Sequence, residues 1–352
     1  MKIGKKFIGD NYPCFITFEA GATHDGIESA KKLIKYSADA GADAVKFQIF
    51  DPDELIADKN MEFEFDILIS KETNEIKKVS ENLYDIFVRR SLSFEQWAEL
   101  KDFSDNLGLT FFATIGDELG LDFVKKVGCH SIKIASADVN YFPFLKEVAK
   151  TNTSIQLDTG NSTIGEIADA IDIIKGEGNQ NIIIHNCPSG YPANPASINL
   201  KMIKSLKNIF ECPIAYSDHS VGFDMDIAAV AIGANLLEKT ITLDRTTPRV
   251  EHIMSLEPDD MKNFIYKIRE IEIAMGSSRR VFTSDEKQKR LKVRRSIFSA
   301  LDYKKGTYVK DMKLKYKRPG YGIPPSSLDI ILDKKLNKDI FANQILHIND
   351  FE

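Results

Sequence analysis

Short runs of apolar residues recur along most of the chain, separated by stretches with helical spacing. Phe15–Ala20 (FITFEA) is aromatic and β-branched, and predicts a strand. Asp25 with Glu28 three residues on, followed by periodic apolar positions to Ala40 and then Gly41, predicts a capped helix with a glycine stop. Ala44–Phe50 (AVKFQIF) predicts the second strand, and a long polar insertion then runs to about Arg90. Ser93 and Gln96 mark another helix start, ahead of a third strand at Leu109–Thr114. The same rhythm places strands at Ser131–Ser136, Ser154–Thr159, Asn181–Asn186, Pro213–Asp218 and Asn235–Leu243, with a last helix near Pro258–Met275. Strands alternating with helices predict a parallel sheet. Eight such units over about 280 residues predict a closed (β/α)8 TIM barrel rather than an open doubly wound sheet. Neither GxGxxG nor GxxxxGK(S/T) occurs, which argues against a nucleotide-binding fold.

The rhythm stops near Val281. SDEKQKRLKVRRS is charged and poor in apolar residues, so residues 281–293 read as a linker after a barrel domain spanning 1–280. Residues 294–352 hold short strand-like runs broken by KKG and PGYG turns, and predict a small, mostly β module. Composition changes this picture little. A hydrophobic content of 43%, a charged content of 28% and a net charge of −5 are ordinary and point to neither nucleic acid nor membrane. No apolar run nears the roughly 18 residues of a spanning helix. The opening MKIGKKFIGD lacks the apolar centre of a signal peptide. Cys14, Cys129, Cys187 and Cys212 form no CxxC pair, so neither zinc nor a disulfide framework is expected. The expectation is a cytoplasmic protein.

Barrels of this type carry their chemistry at the C-terminal ends of the strands. The residues predicted there are Glu19; Lys46 and Gln48; Thr114; Lys133 and Ser136; Asp158 and Thr159; His185 and Asn186, with Ser189 and Tyr191 beyond; Ser217, Asp218 and His219; and Glu238, Lys239 and Thr240. Three lysines on barrel strands call for an anionic ligand, because unpaired buried ammonium groups are costly. One Lys or Glu on a strand is as readily a structural ion pair; the collection is what points to a site. Glu238 and Lys239 are adjacent, so period two sends them to opposite faces. One at most enters the barrel, and the other pairs with the helical layer. His219, beside Ser217 and Asp218, is the strongest candidate for metal binding or proton transfer. His24 sits on the first loop at the same face, with packing an equal reading. His185 fits a packed core position, His252 either reaches the site or lies exposed, and His130 and His347 carry no indicated role.

Taken in order, FEAGATHDG, GADAVKFQIF, KIASADVNYFPFL, CPSGYPA, YSDHSVGF, EKTITLD and SLEP resemble the motifs of the sialic acid synthase family. RRSIFSA, DYKKG and KRPGYGIPP resemble its C-terminal antifreeze-like (SAF) domain. The resemblance covers essentially the whole chain. It implies condensation of phosphoenolpyruvate with an N-acylated mannosamine-type sugar, releasing phosphate, in nonulosonic acid and surface-glycan biosynthesis. It makes Lys46, Thr114, Lys133, Ser136, Ser189, Tyr191 and Ser217 candidates for substrate binding. Glu19, Gln48, Asp158 and His219 become candidates at the reacting centre. It implies a divalent metal (Mn, Mg or Co) held by His219, with His252 as a substitute partner, and a homodimer in which Arg318 reaches the partner's barrel to grip the sugar's acyl group. No nucleic acid or membrane partner is implied.

The chain departs from the family pattern in four places. Thr240 stands where a second metal-binding histidine is usual, and its hydroxyl is a weaker ligand than imidazole. Asp158 replaces a serine, Thr23 an asparagine, and Ser189 stands where some members have asparagine. Three readings stay open: condensing activity with a rearranged metal site that uses His219 with His252 or Glu19, and Asp158 as a new ligand or proton carrier; a shifted substrate or donor; or a catalytically impaired member serving as a binding or regulatory subunit. Retention of Glu19, Lys46, Gln48, Lys133, His219 and Arg318 favours activity.

Overall fold

The computed structural model describes residues Met1–Glu352, which divide into two compact units, Met1–Gly276 and Ser277–Glu352. The first is built on eight strands: β1 Phe15–Glu19, β2 Ala44–Ile49, β3 Thr110–Ile115, β4 Ser131–Ile134, β5 Ser154–Asp158, β6 Ile182–Asn186, β7 Ile214–Asp218 and β8 Leu236–Thr240. Each pairs in parallel with the next, and β8 returns to β1, so the sheet closes into a barrel. Helices α1 Ile27–Ala40, α2 Phe94–Asn106, α3 Glu118–Val127, α4 Phe142–Ala149, α5 Ile164–Gly176, α6 Met202–Phe210, α7 Asp224–Ala231 and α8 Pro258–Met275 alternate with the strands. This is the expected (β/α)8 barrel.

Period two explains how one strand serves two environments. Outward residues such as Ile16, Phe18, Val45, Phe47, Ile132, Ile155, Leu157, Ile184, Tyr216 and Leu237 join the main core with the helices. The residues between them face inward and are polar toward the strand C-termini. At the other end they form an apolar layer: Phe15, Ala44, Phe112, Ile183, Ala215 and Leu236 pack with Ile3 and Ile8. Ile3 belongs to a small N-terminal hairpin, Lys2–Ile3 with Lys6–Phe7. The base of the barrel is therefore plugged.

The insertion after β2 is more ordered than its polarity predicts. Glu62–Ser70 and Glu75–Asn82 form an antiparallel hairpin, and Leu83–Arg90 is a helix capped by Asn82. Phe65, Ile67, Ile86 and Val250 form a small core beneath it.

The second unit has its own core of Ile297, Val309, Met312, Ile323, Ile331, Leu336, Ile340, Leu346 and Phe351. Its regular β structure is one short pair, Ser296–Ser299 with Leu314–Lys317, supplemented by isolated bridges. The stretch 281–293, expected as a linker, carries the helix Ser284–Val293, started by a Thr283–Glu286 capping box and burying no residue. A polar helix with a complete cap satisfies its first N–H groups locally, which a count of apolar residues misses. No helix is long and apolar enough to cross a membrane.

Candidate active site

A cavity of about 440 Å³ opens at the strand C-termini, lined among others by Glu19, Lys46, Gln48, Thr114, Ser136, Asp158, Tyr191, His219, Glu238, Thr240, Arg90 and Glu251. It gathers polar groups from strands across the barrel into one space, as ligand sites do. A shallower depression of about 670 Å³, lined by Asp10–Cys14, Val230–Asn235 and the end of α8, lies at the opposite end and has no convergent set of catalytic groups.

The floor is an ionic lattice. Lys46 Nζ lies 2.7 Å from both Glu19 Oε2 and Glu238 Oε1. Lys133 Nζ lies 2.5 Å from Glu238 Oε1, 3.0 Å from Asp158 Oδ2 and 2.9 Å from Ser217 Oγ. Three carboxylates thus share two ammonium groups, a net charge of −1. Burial opposes ionisation of Glu238, yet Lys133 and Lys46 together hold its carboxyl far below the usual range. Burial likewise opposes the charge on Lys133, but Asp158 and Glu238 raise its pKa. Burial pulls Lys46 down, and Glu238 compensates only in part. Gly21 lets this layer close: a Cβ there would stand 2.5 Å from Gln48 N and 2.8 Å from Glu19 Oε1.

Lys239 turns the other way. It pairs with Asp218 and Asp226 and donates to Ser220 O at 2.6 Å. Burial and the neighbouring Asp218 push the Asp226 carboxyl well up, so it is the neutral member of the two. For Asp218, burial is outweighed by Lys239, which holds its pKa down. The expected division holds: Glu238 faces the cavity, and Lys239 ties β8 and β7 to α7.

The histidines separate by their partners. His185 is fully buried with Nε2 2.9 Å from Gln156 Oε1 and Nδ1 2.9 Å from Ser217 Oγ; burial lowers its pKa to about 3. It is a satisfied core histidine. His24 packs edge-on against Phe47 and Trp97, and burial lowers its pKa to about 4. His219 lines the cavity, packs on Tyr191 with ring centroids 4.6 Å apart, and sets Nδ1 3.0 Å from Pro188 O. Burial lowers its pKa, so the ring is neutral at pH 7 and Nε2 is its free nitrogen.

A model of the NeuB family matches residues 33–280. The chain belongs to the NeuB family. It is 33% identical over 348 residues to the N,N'-diacetyllegionaminic acid synthase of Legionella pneumophila, covering 97% of this chain and 96% of that protein. It is 29% identical over 335 residues to the human N-acetylneuraminate-9-phosphate synthase, covering 94% and 90%. Among solved structures, the N-acetylneuraminic acid synthetase of Leptospira borgpetersenii aligns with a TM-score of 0.71 at 29% identity, covering 82% of this chain and 94% of that one. The spore coat polysaccharide biosynthesis protein SpsE of Bacillus subtilis aligns with a TM-score of 0.66 at 30% identity, covering 100% and 99%. The sugar-acid relatives are synthases, and this NeuB-family chain is an enzyme.

Of the residues singled out in the sequence, Glu19, Lys46, Gln48, Thr114, Ser136, Asp158, Tyr191 and His219 share the cavity wall. Lys133 and Ser217 lie fully buried, behind Asp158 and Glu238. Ser189 is exposed and bonded to Asn161 Oδ1 at 2.8 Å, away from the lining. Arg318 is an exposed residue of the second unit. The expected pairing of His219 with His252 is not formed. His252 Nδ1 sits 2.8 Å from Thr242 Oγ1, and the residue is absent from the lining. The loop after β8 turns Glu251, not His252, into the cavity. No group of three His, Cys, Asp or Glu capable of holding a metal ion is assembled. With one imidazole at the mouth and the floor carboxylates committed to lysines, these residues do not compose a metal centre.

The sequence reading missed Arg90 and Glu251. Both are buried and line the cavity, with Arg90 Nη2 3.5 Å from Glu251 Oε1 and Arg90 Nη1 3.5 Å from Gln48 Oε1. Glu251 adopts φ 74°, a conformation costly for a residue with a side chain.

Proposed function

We propose that this NeuB-family enzyme condenses phosphoenolpyruvate with an N-acylated mannosamine-type sugar, giving a nonulosonic acid for surface-glycan synthesis and releasing phosphate. The observation that carries this reading is the convergence of Glu19, Lys46, Gln48, Asp158 and His219 on one cavity whose polar floor contains ammonium groups. Lys46 meets the anionic donor, and the hydroxyls of Thr114 and Ser136 donate to its oxygens. The Thr114 hydroxyl is buried without a protein partner, so a ligand acceptor would satisfy it.

The methylene carbon of phosphoenolpyruvate attacks the aldehyde carbon of the open-chain sugar, forming the carbon–carbon bond. The donor's C2 becomes an oxocarbenium, stabilised by the surrounding carboxylates. Tyr191 lines the cavity, and burial with Glu251 nearby raises its pKa well above 10; it stays a phenol and can protonate the new alkoxide. Water adds to C2 and loses its proton to Glu19, and the tetrahedral intermediate expels phosphate. Neutral His219 accepts a hydrogen bond from the sugar at Nε2. The second unit reads as the antifreeze-like domain, with Arg318 acting on the partner subunit's barrel in a homodimer. A non-catalytic binding subunit is favoured by no observation.

The test is phosphate release from phosphoenolpyruvate with a panel of N-acyl hexosamines, with divalent cations and with chelator, and product masses recorded. Acceptor-dependent release with a mass of donor plus acceptor plus water minus phosphoric acid is expected. No release with any acceptor under either condition overturns the reading.

A further inference from the structure

His219 and Thr240 stand side by side at the strand ends. Asp218 of β7 is in register with Lys239 of β8, so the next residue of each strand lies beside the other, and both line the cavity. Two imidazoles there would suit a divalent cation; an imidazole and a hydroxyl hold one poorly. The neighbouring residues do not make up the deficit. His252 is turned to Thr242, and Glu19, Asp158 and Glu238 are held by Lys46 and Lys133. Glu251 is paired with Arg90. Arg90 also opposes a dication directly, as a permanent positive charge buried in the same cavity wall, where like charges repel strongly.

The same guanidinium has donors to spare. Its contacts with Glu251 Oε1 and Gln48 Oε1 are both 3.5 Å, long for hydrogen bonds, and a guanidinium carries five N–H groups. Lys46 and Lys133 lie below, engaged by the floor carboxylates. We propose that Arg90, rather than a metal ion, polarises the aldehyde in this enzyme. The proposal rests on the condensation reading given above. An N–H of Arg90 donates to the aldehyde oxygen. As the donor's methylene carbon bonds to the aldehyde carbon, the carbonyl π pair moves onto that oxygen, and its negative charge develops against the guanidinium. The alkoxide takes its proton from Tyr191, whose ring packs on His219. The water adding at C2 releases a proton, so the two transfers balance. Arg90 keeps its own protons throughout.

The experiment measures turnover and Mn²⁺ binding on the full chain after chelation and desalting. Wild-type kcat should stay within about twofold whether Mn²⁺, Mg²⁺ or excess chelator is present, and calorimetry should show no stoichiometric Mn²⁺ uptake. Thr240→His, which sets a second imidazole beside His219, should gain uptake, and more tightly when combined with Arg90→Met. Arg90→Met alone should lose about 100- to 1,000-fold in kcat. Its phosphoenolpyruvate affinity should stay within about twofold, which also shows that the variant is folded. Guanidinium ion in the buffer should restore about tenfold of the lost rate, a rescue that a merely structural arginine would not show, and Arg90→Lys should fall between the two. Turnover that chelator abolishes and Mn²⁺ restores, stoichiometric Mn²⁺ binding by the wild type, or Arg90→Met with wild-type kcat overturns the proposal and leaves condensation standing. So does a rate in Arg90→Met that guanidinium leaves unmoved. No turnover under any condition sinks the condensation reading, and the role of Arg90 with it.

Discussion

Replacing Lys239 by methionine tests how β8 divides its charged pair. The substitution keeps most of the side-chain volume and removes the cation that Asp218 and Asp226 share. All three side chains are essentially buried, at 1%, 0% and 0% exposure. Removing one partner of a buried pair costs about 3–5 kcal/mol, because the remaining charge is left uncompensated. At about 2–4 °C per kcal/mol for domains of 150–250 residues, melting should fall by about 6–20 °C. The barrel unit, at 276 residues, belongs toward the lower end. The pH dependence follows from the two carboxyls. In the wild type Lys239 depresses Asp218, so its stabilisation is present above the unfolded aspartate value and lost as pH falls through the depressed one. Asp226 is raised, so it costs stability as pH climbs from the unfolded value toward its own. Without Lys239 both carboxyls are raised, and the variant loses stability with pH over a wider window. The gap to wild type should therefore widen from pH 5 to pH 8. Thermal and urea melts read the gap, and calorimetry reads donor binding, which should be unchanged in the folded fraction because Lys239 faces away from the cavity. A melting point within about 2 °C of wild type at pH 8, or a gap that does not change with pH, refutes the assignment.

Further tests address other parts of the site. Asp158→Asn removes a carboxylate from Lys133 and should tighten phosphoenolpyruvate binding by about tenfold, one charge interaction's worth; calorimetry showing weaker binding would contradict the counter-ion role. His252→Gln should leave kcat/KM within about twofold, since His252 bonds Thr242 and misses the cavity; a large loss in steady-state assays would place it in the chemistry. Because burial lowers the His219 pKa, its free imidazole persists below pH 6.5, and kcat/KM should begin to fall only under that value. Folding stability should fall in the same acid window, because the unfolded chain binds the proton more readily. Mixed dimers of an Arg318→Ala chain with a Lys46→Met chain should recover activity that neither homodimer shows; no recovery in verified mixed dimers contradicts action between subunits.

The barrel was legible because its strands are short, apolar and, apart from the insertion after β2, regularly spaced, and its site because polar residues recur at the strand ends. The opposite facing of Glu238 and Lys239 followed from period two alone. Arg90 was not legible: in VRRS it looks like the solvated end of a helix, and only the fold of the hairpin before it turns that helix over the cavity. The same holds for Glu251 over His252, a choice made by the backbone of one loop. The floor lysines were identified by type, but their neutralisation by Glu19, Asp158 and Glu238 depends on distances across the barrel that a linear pattern does not contain. The insertion's hairpin was hidden by its charged, exposed outer face.

The plug of Ile3, Ile8 and their apolar neighbours makes the barrel a blind well. Whatever settles on Lys46 at the bottom must arrive before anything rests against Arg90 and Glu251 near the rim, and leaves only after it. Steady-state kinetics should therefore be compulsory-ordered, donor first, and an excess of rim-bound acceptor should trap the enzyme empty below.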